Sequence, residues 1–312
     1  MKVILNRDLG QKKIDMIRDL GYDVELILEK DLKSRDDYYD ADVWFTYQGF
    51  SKVDMDRWTN LKYIHTTSRG IDQVPKDFVV DRGCYLSCNT TGYSVPMAES
   101  IIMYILEVFK NTRTMFDKQD KRLWKMDSNW IELAGKRVGF LGTGNISYQT
   151  AKRLRAFDVE IWGVNTNGRS VEGFDRTFSL GESDEFFKEC DVIVGLMPAT
   201  EKTSGLIDGS KFELMKEGTT FLNIGRGNLV NHQDLVKYGP KFRGIVIDVA
   251  DCEPLPADSP LWDLDNIIVS PHNSWVSENN IERLGDIVYE NLKSFIETGR
   301  PKTWVKDINR GY

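Results

Sequence analysis

Histidine and cysteine are scarce in this chain. Among 312 residues there are three histidines and four cysteines. Cys84 and Cys88 stand four apart, and Cys190 and Cys252 stand alone. A metal centre wants tighter cysteine pairs or histidines close by. No metal site is therefore expected, and the thiols read as reduced groups of a cytoplasmic protein. Long apolar runs are missing too. A membrane span needs roughly 18–20 continuous apolar residues, whereas the best run, residues 101–109, is short and contains Glu107. The opening MKVILNRDLG has no signal-peptide pattern. Nor is there a basic surplus: 41 Lys and Arg face 48 Asp and Glu, a net charge of −7, which argues against nucleic acid as a partner. What is present is core material. The hydrophobic fraction is 41% and there are 25 glycines, enough for a globular chain, and the length suggests two domains at about 150 residues each.

Short β-rich runs alternate with helical stretches, the signature of an α/β protein with parallel sheet. Residues 2–6, 24–28, 43–46 and 61–65 read as strands, and residues 11–20 as a helix ended by Gly21. An apolar helix is expected over 100–110, with Pro96 near its start. Residues 111–133 are polar with Trp124 and Trp130 interspersed, and read as an arm or subunit contact. A second α/β series follows: strands at 137–141, 159–164, 191–196, 219–224, 244–249 and 267–270, a helix at 145–157, and a last long helix at about 276–297.

The stretch Gly142-Thr-Gly-Asn-Ile-Ser147 sits directly after a strand and opens a helix. Gly142 permits a tight turn, Gly144 lets backbone approach a pyrophosphate, and the helix N-terminus offers N–H donors and partial positive charge. Ser147 replaces the third glycine, which suggests slightly looser strand–helix packing. In this context the motif predicts a dinucleotide site. Sites for NAD place an acid at the end of the second strand. Here that stretch is Asn165-Thr-Asn-Gly-Arg169, and Asn165, Thr166, Asn167 and Arg169 suit a 2′-phosphate instead. NADP(H) is thus the expected cofactor, with NAD(H) still accepted.

Reducing a carbonyl needs a proton donor, commonly histidine. His65 lies in an apolar strand and reads as a core residue; His232 reads as a surface residue. His272, in Ser270-Pro-His-Asn-Ser-Trp275, follows a strand at its carboxyl end, where α/β sheets place ligands. Arg226, in Asn223-Ile-Gly-Arg-Gly227, follows another strand and can fork onto a carboxylate. Asp248 ends a third strand, and Glu253 lies in the loop beyond; a carboxylate beside an imidazole stabilises the imidazolium that donates.

With these motifs assembled (GTGNIS, LMPATEKT, NIGRG, DVADCEPLP and SPHNSW), the chain resembles the D-isomer-specific 2-hydroxyacid dehydrogenases over about residues 89–280. Thr67-Ser-Arg-Gly-Ile-Asp72 and the closing Asn309-Arg-Gly-Tyr312 extend the likeness. The resemblance implies an α/β fold with a Rossmann dinucleotide-binding domain (residues 96–277) inserted in a smaller flavodoxin-like substrate domain (residues 1–95 and 278–312). It implies Arg226, Glu253 and His272 as catalytic residues: Arg226 holds the substrate carboxylate, Glu253 orients His272, and His272 protonates the keto oxygen as hydride arrives. Gly142, Thr143, Gly144, Asn145, Ile146, Met197, Pro198, Thr203 and Asp248 would contact the cofactor, Asp248 at the nicotinamide carboxamide. Ser68, Arg69 and Gly70 match a loop whose backbone N–H groups bind the substrate carboxylate. Tyr93 resembles a substrate-contacting tyrosine, although its spacing to Glu99 is one residue short. Trp275 stands where small residues are common and would narrow the substrate pocket. The expectation is an NADPH-preferring 2-ketoacid reductase, a homodimer with hinges near residues 94–96 and 275–277. The alternatives are an NAD-linked phosphoglycerate dehydrogenase-like enzyme and a nucleotide-sensing, corepressor-like binding protein. The missing acid and the lack of a long region beyond residue 312 weigh against the first, and the retained Arg226, Glu253 and His272 against the second.

Overall fold

The computed structural model describes residues 1–308; the Asn309-Arg-Gly-Tyr312 motif lies outside the described residues. The chain forms two compact units. Unit 1 is Met1–Tyr93 with the segment that begins at Ser277, and unit 2 is Ser94–Val276.

Unit 1 is built on five parallel strands: β1 (Lys2–Leu5), β2 (Asp23–Leu26), β3 (Val43–Thr46), β4 (Tyr63–Thr66) and β5 (Tyr85–Ser87), in the order β2-β1-β3-β4-β5. β3 and β4 are buried at every position, as strands covered on both faces must be. One face holds Trp44, Trp58, Ile64 and Leu86. The other packs on the closing helix, Asn280–Thr298, through Leu284, Val288, Leu292 and Phe295. Those apolar positions recur at helical spacing, and Phe295 lies 5.1 Å from the Tyr63 ring. Each such side chain, fully buried, contributes about 1.5–3 kcal/mol. Beyond the helix, Thr303 N donates to Asn291 Oδ1 at 2.8 Å and Val305 N to Leu86 O at 2.7 Å, so the terminal segment lies along β5.

Unit 2 holds seven parallel strands: β6 (Arg137–Leu141), β7 (Glu160–Asn165), β8 (Arg176–Ser179), β9 (Val192–Gly195), β10 (Thr220–Asn223), β11 (Gly244–Ile247) and β12 (Ile267–Val269). Their order is β12-β11-β10-β9-β6-β7-β8. The helix Ser94–Phe109 covers one face through Ile101, Tyr104, Ile105 and Val108. Gly244 makes that approach possible, since a Cβ there would sit 2.5 Å from Val108.

Several sequence expectations shift. β5 and β8 carry too few apolar residues to register as strands. The first long helix begins at Ser94 rather than 100, so the chain enters unit 2 two residues before the expected boundary, and Ser277 belongs to unit 1. The closing helix starts at Asn280, not 276. The arm contains a helix, Thr112–Asp120, followed by irregular chain with Leu123, Trp124 and Met126 exposed. His232 is not a surface residue: its side chain is only 12% exposed and its Nδ1 lies 3.0 Å from Asp251 Oδ1. His65 is fully buried. Cys84, Cys88, Cys190 and Cys252 are free thiols. Among the described residues no three His, Cys, Asp or Glu side chains cluster as metal ligands. No described helix is long and apolar enough to cross a membrane.

Candidate active site

In unit 2 the functional motifs sit on loops that leave the carboxyl ends of the strands. β6 and β9 are neighbours although β7 and β8 lie between them in the chain; such a switch point is where open α/β sheets bind ligands. Gly142 leaves β6 with φ +104°, a conformation only glycine adopts freely, and a Cβ there would crowd Leu196 O at 3.1 Å. Gly144 precedes the helix Asn145–Leu154 and would carry a Cβ with no atom within 4 Å. The backbone is therefore open to a ligand where the first N–H groups of the helix point. Ser147 does not loosen the motif. It is buried, and its Oγ donates to Gly142 O at 2.6 Å, tying the helix back onto the turn. Thr143 packs on Gly163, Ile146 is half-buried, and Asn145 is exposed.

Asn165 has a local role beside the one its position suggests. It is buried, its Nδ2 donates to Arg169 O at 2.8 Å, and its Oδ1 accepts from Asn167 N at 3.3 Å. Both amide atoms shape the turn, and the exposed Thr166, Asn167 and Arg169 are what the turn presents. After β9, Met197 is buried in the core. Thr203 Oγ1 donates to Pro198 O at 2.6 Å. These two side chains shape the loop from within.

The candidate catalytic motifs converge. Asp248, which follows β11, is buried; its Oδ1 accepts from Asn273 N at 2.9 Å and Ser274 N at 3.2 Å, and its carbonyl from His272 N at 2.8 Å. This grip holds His272 at φ +52°, a left-handed conformation costing of order 1–3 kcal/mol outside glycine and concentrated at functional sites. The imidazole is thereby presented to solvent, with Nδ1 2.9 Å from Glu253 Oε2. Glu253 Oε1 accepts from Ala250 N at 3.1 Å, which fixes the carboxylate. The Arg226 loop is part of the same body. Asn223 Nδ2 donates to Arg226 O at 3.0 Å, and Arg226 Nη1 to Gly225 O at 2.9 Å. Gly227 lies so close to Ala250 that a Cβ would fall 1.9 Å from its carbonyl. Trp275, directly after the His272-Asn-Ser274 stretch, is half-buried.

In unit 1, the loop after β4 is tightly laced. Ser68 Oγ donates to Gly70 O at 2.7 Å and accepts from Gln73 Nε2 at 2.8 Å. Arg69 turns its guanidinium toward Cys88 Sγ (3.4 Å) and lines a pocket of about 130 Å³ with Thr90, Thr303 and Trp304. The Tyr93 hydroxyl donates to Thr67 O at 2.8 Å, and burial raises its phenol above the usual range.

The sequence profile named D-isomer specific 2-hydroxyacid dehydrogenase, NAD binding domain, matches residues 102–274. The chain belongs to the D-isomer-specific 2-hydroxyacid dehydrogenase family. Glyoxylate reductase of Thermofilum pendens is 30% identical over 263 residues, covering 80% of this chain and 76% of that protein. D-3-phosphoglycerate dehydrogenase of Archaeoglobus fulgidus is 27% identical over 94% of this chain but only 56% of its own length. A probable 2-hydroxyacid dehydrogenase from Rhizobium etli, solved with NADP, HEPES and L(+)-tartaric acid, is 25% identical with a TM-score of 0.80, covering 100% of this chain and 99% of that one. The protein is accordingly an NAD(P)-dependent oxidoreductase of the 2-hydroxyacid dehydrogenase type with a Rossmann fold. Sequence reasoning missed Gln73, which laces the Ser68 loop, and the strained backbone of His272; neither leaves a signal in a single sequence.

Proposed function

We propose that this dehydrogenase is a cytoplasmic, NADPH-preferring reductase of 2-ketoacids to D-2-hydroxyacids, and that unit 2 is its dinucleotide domain and unit 1 its substrate domain. The observation that carries the reading is the 2.9 Å contact between His272 Nδ1 and Glu253 Oε2. The residues present fit a dinucleotide: Gly142 and Gly144 leave a cradle at a helix N-terminus, and the turn after β7 offers Thr166, Asn167 and Arg169 with no acid. Bound there, a reduced nicotinamide supplies the hydride.

The chain's own groups do the rest. With Nδ1–H donated to Glu253, His272 keeps Nε2 for the proton that goes to the keto oxygen. Glu253 stabilises the imidazolium and fixes the ring. Arg226 pairs with the substrate carboxylate and draws charge toward the developing alkoxide. The Ser68–Gly70 backbone takes the carboxylate in unit 1. Trp275 limits the room for the substrate side chain. Asp248 acts through the backbone it holds. We also assign the exposed arm with Leu123, Trp124 and Met126 to self-association as a homodimer.

The test follows reduced-nicotinamide absorbance with purified protein, NADPH and NADH in parallel, over a panel of 2-ketoacids. Faster turnover with NADPH supports the reading. Tight cofactor binding without turnover on any ketoacid would instead support a nucleotide-sensing role.

A further inference from the structure

The reductase reading leaves Arg7, a cation of unit 1, without a task. Arg7 follows β1, is half-buried and, among the described residues, makes no hydrogen bond, ion pair or ring contact. The neighbouring acid is occupied elsewhere, since Asp8 Oδ1 accepts from Gly10 N at 2.7 Å. A guanidinium withdrawn from water without an acceptor is costly, and its planar fork suits carboxylate or phosphate.

Its place in the fold adds direction. β1 and β3 are neighbours although β2 lies between them in the chain, and Asn6 N donates to Phe45 O at 2.8 Å. Arg7 therefore stands at the switch point of this sheet, on the carboxyl side where α/β sheets bind ligands. The same edge carries Tyr47, 46% exposed after β3. Gln73 Nε2 bridges Tyr47 O at 3.1 Å and Ser68 Oγ at 2.8 Å, which joins that position to the Ser68–Gly70 loop. Tyr93, on Thr67 O, is on this edge as well: burial raises its phenol, and the Arg7 charge works against that rise.

We propose that Arg7 is a specificity-determining residue that takes a second anionic group of the substrate, so that the preferred 2-ketoacids are dianionic, with a carboxylate or phosphate at the far end from the keto acid. The proposal rests on the reading of Ser68–Gly70 as the loop for the first carboxylate. A substrate with an alkyl end would bury Arg7 against a group that cannot accept, whereas an anionic end completes it.

The experiment compares kcat/KM for oxaloacetate, 3-phosphohydroxypyruvate and 4-methyl-2-oxopentanoate, whose branched end has the shape of a carboxylate without its charge. In the parent protein one of the two dianions is favoured over the branched acid by at least about tenfold, the scale of one charge-assisted hydrogen bond; which one wins identifies the group. In Arg7→Gln that preference falls about tenfold or more, and Arg7→Lys, which keeps the charge, retains most of it. A parent enzyme that favours the branched acid, or an Arg7→Gln preference within twofold of the parent, overturns the proposal and leaves the reductase reading standing. Absence of turnover on every ketoacid overturns both.

Discussion

Replacing Asn165 by Asp separates two things the residue does. In the parent, Nδ2 donates to Arg169 O at 2.8 Å and Oδ1 accepts from Asn167 N at 3.3 Å. Aspartate keeps the acceptor and turns the donor into an oxygen facing a carbonyl. The lost hydrogen bond costs about 1 kcal/mol, which for a unit of this size lowers Tm by about 2–4 °C. The second effect is electrostatic. A carboxylate at the end of β7 repels a 2′-phosphate and offers an acceptor to a ribose hydroxyl. Two unit charges about 4 Å apart interact by about 1 kcal/mol in bulk water and about 4 kcal/mol at an effective dielectric of 20. The turn is exposed, so about 1–3 kcal/mol is the relevant range, or about a 5- to 150-fold fall in the NADPH/NADH ratio of kcat/KM.

The assay is kcat/KM for each reduced cofactor at a saturating 2-ketoacid, alongside a thermal melt. Arg169→Gln serves as comparison, because it removes a pairing group without adding an acid; it lowers kcat/KM for NADPH and does not raise it for NADH. If Asn165→Asp melts earlier but keeps the parental cofactor ratio, the turn is only structural and the 2′-phosphate argument is refuted.

Three further outcomes follow from the geometry. His272→Gln lowers kcat by about 10²–10⁴ while NADPH binding, followed by fluorescence titration, persists; near-parental turnover would remove His272 from the acid role. Gly227→Ala forces a methyl to 1.9 Å from the Ala250 carbonyl, so the Arg226 and Glu253 loops must part, with a stability loss of about 1–3 kcal/mol or more and loss of activity. Full activity in that variant would mean the two loops need not stay in register. His65 is held neutral by burial, its pKa lowered to about 4, against about 6.5 when unfolded. Between those values the unfolded chain binds the extra proton, so stability falls as pH drops from about 6.5 to about 4, by up to about 3 kcal/mol from this group. Denaturant titrations of parent and His65→Asn should show a shallower acid slope in the variant, and identical slopes would contradict the assignment.

Much of this was readable without a structure, and the pattern of what was not has a physical cause. Strands such as β1, β9 and β11, Lys-Val-Ile-Leu, Val-Ile-Val-Gly and Gly-Ile-Val-Ile, announce themselves because three consecutive aliphatic residues, mostly β-branched, between polar or glycine positions have few other uses in an α/β chain. β5 and β8, Tyr-Leu-Ser and Arg-Thr-Phe-Ser, are edge strands whose pairing comes from the neighbour already in place rather than from their own composition. The site motifs were legible because their chemistry needs particular residue types at strand ends: Gly142 for its φ, Arg226 for its fork, Glu253 beside His272. What a sequence hides is which polar atoms are already engaged. Asn165, Thr203 and Asp248 read as ligand contacts by position, and the structure adds that their side chains also hold their loops.

Arg7 is the reverse case. In the sequence it is an ordinary charge beside an aspartate, and nothing singles it out. The fold commits Asp8 to the backbone of Gly10 and leaves the guanidinium half-buried at the sheet's switch point. The residues that hold loops and the residue that holds nothing therefore sort the site into two kinds of group. Asn165, Thr203 and Asp248 are already hydrogen-bonded within their own loops before any ligand arrives, so replacing them changes loop shape and stability as well as any ligand contact. Arg7 has its partner still to come, so replacing it should change substrate choice first. The order in which stability and selectivity respond is thus itself a readout of which polar groups are preorganised and which await the substrate.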